Sequence, residues 1–218
     1  MISAVIFDLD GLLADTEKLH LQAYKETLAA HGIELRDSEY EEHWIRLGKG
    51  RREFIRARGL DLDPDVLRKE KAARYTHLVA TEAEPMPGAH DLLNTLYGKK
   101  ALALASSSNS TSVKLAVSVL GIASCFSVIL SGDSVERGKP HPDIFLLASQ
   151  KLGVPPANCV VLEDAEKGVI AARAAGMKCI AVPNRHTKGN DLSKATLVVS
   201  GLDQVTLAMI ESLDVRFD

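Results

Sequence analysis

The sequence predicts an α/β protein in which a doubly wound, Rossmann-like parallel sheet carries an inserted helical domain. From residue 89 onward, short apolar runs alternate with segments of helical periodicity, the pattern of a parallel sheet with right-handed crossovers. Residues 15–82 differ, because they contain no β-rich run and repeat apolar residues at helical spacing. We therefore expect residues 1–14 and 83–218 to form the core and residues 15–82 to form a helical cap domain.

The composition argues against nucleic acids and membranes as partners. The 218 residues include 26 basic and 29 acidic side chains, and the resulting net charge of −3 indicates neither nucleic acid nor a membrane surface. No apolar stretch approaches the ~20 residues of a membrane span, and the amino terminus lacks the basic start of a signal peptide. The cysteines are odd in number and widely spaced, which favours free thiols in a reducing compartment: Cys125, Cys159 and Cys179. We expect a cytoplasmic monomer.

The first predicted strand, Ala4–Phe7, is apolar without alternation, as expected of a strand buried on both faces of a parallel sheet. It leads into Asp8 and Asp10, which an extended backbone places on one side, and Gly11 then permits a sharp turn. Open α/β sheets bind ligands at this carboxyl edge. One carboxylate could attack phosphorus while the other exchanges protons, and Mg²⁺ would balance their charge. The pattern alone also fits a surface turn.

Helices are predicted throughout the inserted region. Apolar residues recur at helical spacing near its beginning and in its middle, at Leu19, Ala23, Leu28, Trp44, Leu47, Phe54 and Ile55. Gly32 is expected to end the first helix, and Asp63 to cap the last one ahead of Pro64. Pro85–Gly88 then marks the return to the core.

The returning chain is predicted to alternate helices and strands to its end. The helices are expected at Ala89–Leu96, Ser112–Leu120, Asp143–Leu152, Lys167–Ala175 and Val205–Leu213. The strands are expected at Ala101–Ala105, Ser127–Leu130, Cys159–Leu162, Lys178–Val182 and Thr196–Val199.

Polar residues follow several of these strands and connections. Ser106–Asn109 offers hydroxyls and backbone N–H groups ahead of a helix, which suits either a phosphate or an ordinary helix cap. Lys139 lies in a proline-stiffened loop, where a solvated lysine is the default interpretation. The strand that begins at Cys159 ends in Glu163 and Asp164, and buried acids are costly unless a cation or a donor meets them. The acids therefore favour a functional edge over a simple turn.

In this order, the motifs resemble those of the haloacid dehalogenase superfamily of phosphohydrolases, over the whole chain. They are Asp8–Glu17, Ser106, Lys139-Pro140, and Glu163-Asp164 with Gly168. The helical insert after the first motif, and Thr187-Lys188-Gly189, resemble the branch that contains β-phosphoglucomutase and related sugar-phosphate phosphatases. True dehalogenases of the superfamily lack the second acid of the first motif, so carbon–halogen cleavage is not expected.

The resemblance implies a role for each motif residue. Asp8 would be the nucleophile and Asp10 the general acid/base. Ser106 would hold the transferring phosphoryl group beside Gly11, Ser107 and Ser108, and Lys139 would neutralise its charge. Mg²⁺ would be bound by Asp8, Asp164 and the Asp10 backbone carbonyl, with Glu163 as a further ligand or a supporting acid.

The cap contains a basic stretch, Arg46–Arg58, which on its own is more typical of a solvated helix face. The resemblance singles out Arg51, because the branch uses an arginine shortly after a cap glycine, here Gly48, to grip a distal phosphate or polar group. A guanidinium suits phosphate because it can donate two parallel hydrogen bonds. His20 lies near the hinge, and either a place in the site or a packing role fits it.

The function expected is an Mg²⁺-dependent phosphatase that acts on a small phosphorylated metabolite, in particular a sugar phosphate. A phosphomutase of the same branch is the alternative. Leu47 stands where those mutases place a lysine, although Lys49 could reach the same region. A non-catalytic binding module is disfavoured by the intact acids. A nucleic-acid binder using Arg46–Arg58 would show steep salt dependence, but the chain offers no aromatic platform beside that stretch.

Overall fold

The computed structural model describes residues 1–47 and 49–213, and its centre is a parallel sheet of six strands in the order β3-β2-β1-β4-β5-β6. The strands are β1 (Ala4–Phe7), β2 (Ala101–Ala105), β3 (Val128–Leu130), β4 (Cys159–Glu163), β5 (Lys178–Ala181) and β6 (Leu197–Val198). Every neighbouring pair is parallel, so the chain winds in both directions from β1. The predicted fold class is confirmed.

Helices flank this sheet and form the insertion. The insertion contains α1 (Glu17–Ala30), α2 (Asp37–Tyr40), a π-helical segment (Glu41–Arg46), α3 (Arg51–Ala57) and α4 (Pro64–Glu82). The remaining helices are α5 (Ala89–Leu96), α6 (Ser110–Val119), α7 (Asp143–Leu152), α8 (Glu166–Ala174) and α9 (Leu207–Ser212). The predicted cap of α4 is confirmed, because the Asp63 side chain accepts the N–H of Asp65 at 2.7 Å. The domain boundaries themselves stay a prediction.

Two apolar layers cover the sheet, one on each face. Along β1 the pleat sends Val5 and Phe7 into one layer and Ala4 and Ile6 into the other. A separate apolar cluster fills the insertion. The first turns of α1 and the second half of α4 instead pack into the larger apolar layer of the core. The insertion is therefore packed onto the core through α1 and α4.

The first two strands have the predicted bounds, and the other four differ from the predicted ones by one residue at one end or at both. The sequence predicts the end of the β4 run at Leu162, but the ladder continues to Glu163, which pairs with Ala181 of β5. Apolarity marks where a strand is buried, whereas backbone pairing decides where it ends. As a result the Glu163 side chain projects from a strand rather than from a loop. The predicted final helix also begins two residues later, because Thr206 caps it and the Thr206 Oγ1 accepts the N–H of Met209 at 3.1 Å.

The two connectors to the cap run side by side. Met86 N–H donates to the Leu13 carbonyl at 2.9 Å, and Asp15 N–H donates to the Glu84 carbonyl at 2.9 Å. Gly11 turns the chain with a φ of +81°, a conformation that favours glycine. Gly48 lies outside the described residues. None of the helices in the described ranges is long and apolar enough to cross a membrane.

Candidate active site

A buried ammonium group lies between two of the predicted acids. Lys139 Nζ donates to Asp8 Oδ1 at 2.6 Å, to Glu163 Oε1 at 2.6 Å and to the Ala105 carbonyl at 2.9 Å. Its side chain is only 1% exposed. Burial alone would lower the pKa of Lys139, but Asp8 and Glu163 raise it above its ordinary value. The lysine is therefore held charged against both carboxylates.

Three buried carboxylates meet beside this lysine, those of Asp8, Glu163 and Asp164, with one oxygen of each within 4.8 Å of the others. Burial raises the pKa of Asp8 to about 7 against the attraction of Lys139, and Glu163 and Asp10 raise it further. Burial, then Glu163 and Asp8, likewise raises the pKa of Asp164 well above its ordinary value. Such crowding of hard oxygen donors is what a divalent cation relieves, so these residues fit Mg²⁺.

Backbone and glycine contacts fix the position of Glu163. Its Oε2 accepts the N–H groups of Asp164 at 3.1 Å and Ala165 at 3.2 Å, while its Oε1 accepts from Lys139. A Cβ at Gly168 would lie 1.9 Å from the Glu163 carboxyl carbon, so only glycine leaves room for this side chain. Because both of its carboxylate oxygens already accept hydrogen bonds, Glu163 is placed to support the other two acids rather than to bind a ligand directly.

The second acid of the first motif faces a different set of groups. Asp10 Oδ1 accepts from Thr16 Oγ1 at 2.7 Å, and its Oδ2 accepts from the hydroxyls of Ser106 at 2.9 Å and Ser108 at 2.8 Å. Burial alone would raise the pKa of Asp10, but His20, Thr16 and Ser108 lower it below its ordinary value. Asp10 is therefore ionised at neutral pH. Ser106 is fully buried and bonded to Asp10, whereas Ser108 also lines the cavity described below.

Side chains from the cap reach Asp10 from the opposite side. The His20 ring stacks on Tyr75 at 3.9 Å between centroids, and its Nε2 lies 3.7 Å from Asp10 Oδ1. Lys71 Nζ lies 2.5 Å from His20 Nδ1. Because an ammonium only donates, Nδ1 accepts and the ring carries its proton on Nε2, facing Asp10. His20 thus takes part both in helix packing and in the site.

These groups line a cavity of about 240 Å³ between the core and the cap. The core contributes Asp8, Asp10, Ser107, Ser108, Glu163, Asp164, Lys167 and Thr187 to its wall. The cap contributes Glu17, His20, Tyr24, Tyr40, Trp44 and Lys71. The hydroxyl of Tyr40 donates to the Glu17 carboxylate. Sequence reasoning singled out neither Lys71 nor the aromatic residues, and Glu17 was noted only as the end of the first motif.

The arginine that the sequence assigned to substrate binding lies outside this wall. Arg51 Nε donates to the Pro64 carbonyl at 2.9 Å, and a terminal nitrogen lies 3.3 Å from Asp65. The reason is local, because α3 begins at Arg51 and its side chain meets the first turn of α4. Leu47 and Lys49 line a neighbouring groove that also contains Lys139.

Comparisons with known proteins find similarity over most of the chain. A family model described as haloacid dehalogenase-like hydrolase matches residues 2–176. Protein CbbY of Rhodobacter capsulatus is 35% identical over 228 aligned residues, which cover 97% of this chain and 99% of that protein. The fructose-1-phosphate phosphatase YqaB of Escherichia coli is 33% identical over 186 residues, covering 83% of this chain and 96% of that protein.

Solved structures show the same similarity. A mutant of CbbY from Rhodobacter sphaeroides in complex with xylulose-(1,5)bisphosphate aligns with a TM-score of 0.85 at 32% identity, covering 96% of this chain and 99% of that one. A β-phosphoglucomutase from Clostridium difficile aligns with a TM-score of 0.80 at 28% identity, covering 97% and 96%. The family match and these relatives define an enzyme of the hydrolase class. The chain belongs to the haloacid dehalogenase-like hydrolases, and the predicted phosphatase-type activity is confirmed at the level of this family.

Proposed function

We propose that this protein is an Mg²⁺-dependent phosphatase that hydrolyses a small phosphate monoester, in particular a sugar phosphate, through an aspartyl-phosphate. One observation carries the proposal. Asp8 and Asp10 face the same cavity but have opposite pKa shifts, because one lies in the crowded acid cluster and the other among donors. Two titratable groups whose environments push their pKa values apart are the usual mark of divided catalytic roles.

Asp8 would act as the nucleophile. Lys139 engages its Oδ1, which leaves the second carboxylate oxygen to attack phosphorus. The bond from phosphorus to the ester oxygen breaks, the leaving alkoxide takes a proton from Asp10, and Asp8 becomes an acyl phosphate. Water then attacks this phosphorus while Asp10 takes back a proton. Asp10 then passes that proton to the departing phosphate or to solvent, so both carboxylates return to their ionised starting state.

Asp10 must gain its proton when substrate arrives, since its own surroundings keep it ionised. An incoming phosphate brings negative charge close to the carboxylate, and a nearby like charge raises a carboxyl pKa. A phosphate monoester, with a second pKa of about 6, can also carry the proton in. Thr16, Ser106 and Ser108 meanwhile hold the Asp10 carboxylate in one orientation.

Asp8 and Asp164, with the Asp10 backbone carbonyl, would hold Mg²⁺, and Glu163 would support them through Lys139. When bound, the cation supplies charge neutralisation to the phosphoryl oxygens. The residues themselves position and desolvate the nucleophile, because the cluster is buried under the cap.

The cavity supports a small substrate. Its volume of about 240 Å³ lies below the range of ~300–1,000 Å³ typical of drug-sized ligands. Glu17 and Lys71 offer one acceptor and one donor group for hydroxyls, beside the aromatic rings. The relative named as a fructose-1-phosphate phosphatase and the xylulose-bisphosphate complex support a sugar phosphate as the class of substrate.

The basic stretch of the cap does not favour a nucleic-acid partner. Acidic residues neutralise much of it within the protein, because Arg46 pairs with Glu42 and Arg52 lies 3.3 Å from Asp65. Arg58 Nη1 donates to the Glu34 carbonyl at 2.8 Å. A phosphate backbone would have to compete with these contacts.

We expect Mg²⁺-dependent phosphate release from sugar phosphates and little from nucleotides. The test measures free phosphate from a panel of pentose and hexose phosphates, short-chain phosphates and nucleotides, each with Mg²⁺ and with excess EDTA. Removing the cation should leave the negative charge of the acid cluster without a counter-charge and abolish phosphate release. Equal rates with and without chelator would contradict the proposal.

The same assay separates hydrolysis from mutase activity. With β-glucose 1-phosphate and a trace of glucose 1,6-bisphosphate, both free phosphate and glucose 6-phosphate are followed. We expect phosphate to accumulate first, because Leu47 is apolar and 46% exposed and cannot hydrogen-bond to Asp10 to signal closure against water. Glucose 6-phosphate well ahead of phosphate would assign the chain to the mutases.

We expect Lys71→Met to stabilise the protein while weakening substrate binding. Burial lowers the pKa of Lys71 from 10.5 to about 8, although Glu17 and Asp10 oppose the shift. The unfolded lysine then binds its proton at a pH where the folded one does not, so stability falls as the pH drops from 10.5 to 8 and stays low below that. The free energy of unfolding of the variant should exceed that of wild type by about 1–3 kcal/mol at pH 7, because each unit of pKa shift corresponds to ~1.4 kcal/mol.

Urea unfolding of both proteins at pH 7 and pH 10 measures this difference, which should shrink at pH 10. Lys69→Met, on an exposed position of the same helix, is the matched control and should change stability by no more than ~0.5 kcal/mol. A Lys71→Met protein less stable than the wild type at pH 7 would show that the ammonium is favourably placed.

A further inference from the structure

Asn184 lies just beyond β5 and contacts two parts of the candidate site. Its Nδ2 donates to Asp164 Oδ2 at 2.8 Å and to the Gly11 carbonyl at 2.9 Å. Its Oδ1 accepts the N–H groups of His186 at 2.8 Å and Thr187 at 3.2 Å. A flipped amide would set donor against donor and acceptor against acceptor, so the network fixes its orientation.

The contact is close on every side. A Cβ added at Gly11 would lie 2.5 Å from Asn184 Nδ2 and 2.5 Å from Asp164 Oδ2. The amide therefore fills the space between the turn after β1 and the end of β4. These are the two chain segments that deliver Asp8 and Asp164 to the acid cluster.

The same loop also touches the cap. His186 Nδ1 lies 3.2 Å from Glu41 Oε1, at the start of the π-helical segment, and the His186 side chain is 8% exposed. Asn184 N–H donates to Thr187 Oγ1 at 2.9 Å, which closes the loop on itself. The loop that carries Asn184 is therefore held in place by contacts within the loop and to the cap.

We propose that Asn184 is a positioning residue, whose amide holds Asp164 in the orientation that lets its carboxylate join Asp8 around a cation. The inference rests on the proposed function, in that the acid cluster binds Mg²⁺. Asp164 is buried among like charges, and the Asn184 amide is a neutral donor that opposes rotation of its carboxylate away from them. Partners that orient metal ligands in this way typically contribute about 10–100-fold to metal affinity.

Two substitutions distinguish orientation of Asp164 from a role in which the Asn184 side chain only stabilises its own loop. Asn184→Ala removes all four contacts of the side chain. Asn184→Ser keeps a hydroxyl that can accept the N–H groups two and three residues on, as serine does in turns, but it is too short to reach Asp164. Asn190→Ala is the matched control, because Asn190 lies in the same loop region and accepts the Glu166 N–H at 3.0 Å.

The experiment titrates each metal-free protein with Mg²⁺ alone by calorimetry and records its melting temperature. We expect both Asn184 variants to weaken Mg²⁺ binding by about 10–100-fold, and Asn190→Ala to change it by no more than about 3-fold. Saturating Mg²⁺ should restore kcat in the Asn184 variants to within a few-fold of wild type. If Asn184→Ala does not fold, Asn184→Ser decides alone.

Wild-type affinity in Asn184→Ser would show that the residue acts only through the loop and would overturn the inference. Equal weakening by Asn190→Ala would also overturn it, since general loosening would then explain the loss. Either result leaves the proposed phosphatase intact. A wild-type protein that binds no Mg²⁺ would instead overturn the metal requirement of the proposed function together with the inference built on it.

Discussion

Asp8→Asn is expected to remove phosphatase turnover almost completely, by about 10⁴–10⁶-fold in kcat, as nucleophile removal does in other covalent enzymes. An amide cannot attack phosphorus to form the acyl phosphate, yet it preserves the shape of the side chain and can still accept from Lys139. The measurement is single-turnover phosphate release from the best sugar phosphate of the panel. Activity above about one per cent of wild type would contradict a nucleophilic Asp8.

The stability of the same variant provides the control. Burial and the neighbouring acids already raise the pKa of Asp8 to about 7, so its charged form is disfavoured in the folded protein. A neutral amide relieves that crowding. We therefore expect the Asp8→Asn protein to unfold at the same urea concentration as wild type at pH 8, or at a higher one. Loss of activity together with loss of folding would leave the chemistry unassigned to Asp8 and point to a structural role.

The sheet and its edge could be predicted because one rule covers them. The carboxyl ends of parallel strands meet at one edge, so polar residues after apolar runs converge. Asp8 and Glu163 illustrate this, since both contact Lys139 although they are far apart in sequence. The same rule also covers Asn184, which follows the fifth strand, but its place after a proline is equally typical of an ordinary turn.

The cap residues of the site could not be predicted in the same way. Lys71 and Tyr75 are four residues apart on α4 and so share a face, but the sequence does not say which face meets the core. That depends on how α4 packs against α1 and on where both stems enter the core layer. The resemblance singled out Arg51, but the sequence did not reveal that Asp65 of the next helix lies 3.3 Å from it, and its role in substrate binding stays a prediction.

Lys139→Met is expected to destabilise the protein strongly, by about 3–5 kcal/mol at pH 8. Methionine matches the lysine stem but leaves Asp8 and Glu163 without their shared cation, and breaking a buried ion pair strands uncompensated charge. Activity should fall as well, because the nucleophile loses its partner. The measurement is urea unfolding. Lys151→Met, at an exposed position, is the matched control, and its free energy of unfolding should lie within ~0.5 kcal/mol of wild type.

The pH dependence of that loss follows from the sign of the carboxyl shifts. The pKa of Asp8 is already raised to about 7, and removing Lys139, which lowers it, must raise it further. A carboxyl with a raised folded pKa contributes stability at low pH that is lost as the pH rises through that value. Asp8 is protonated in both folded proteins at pH 5, and only above about pH 7 does the wild type ionise it while the variant does not, so the stability difference should grow by up to ~1.4 kcal/mol between pH 7 and pH 8. Adding Glu163→Gln should recover part of the loss at pH 8, whereas a deficit that is independent of pH would mean that packing, not charge, explains it.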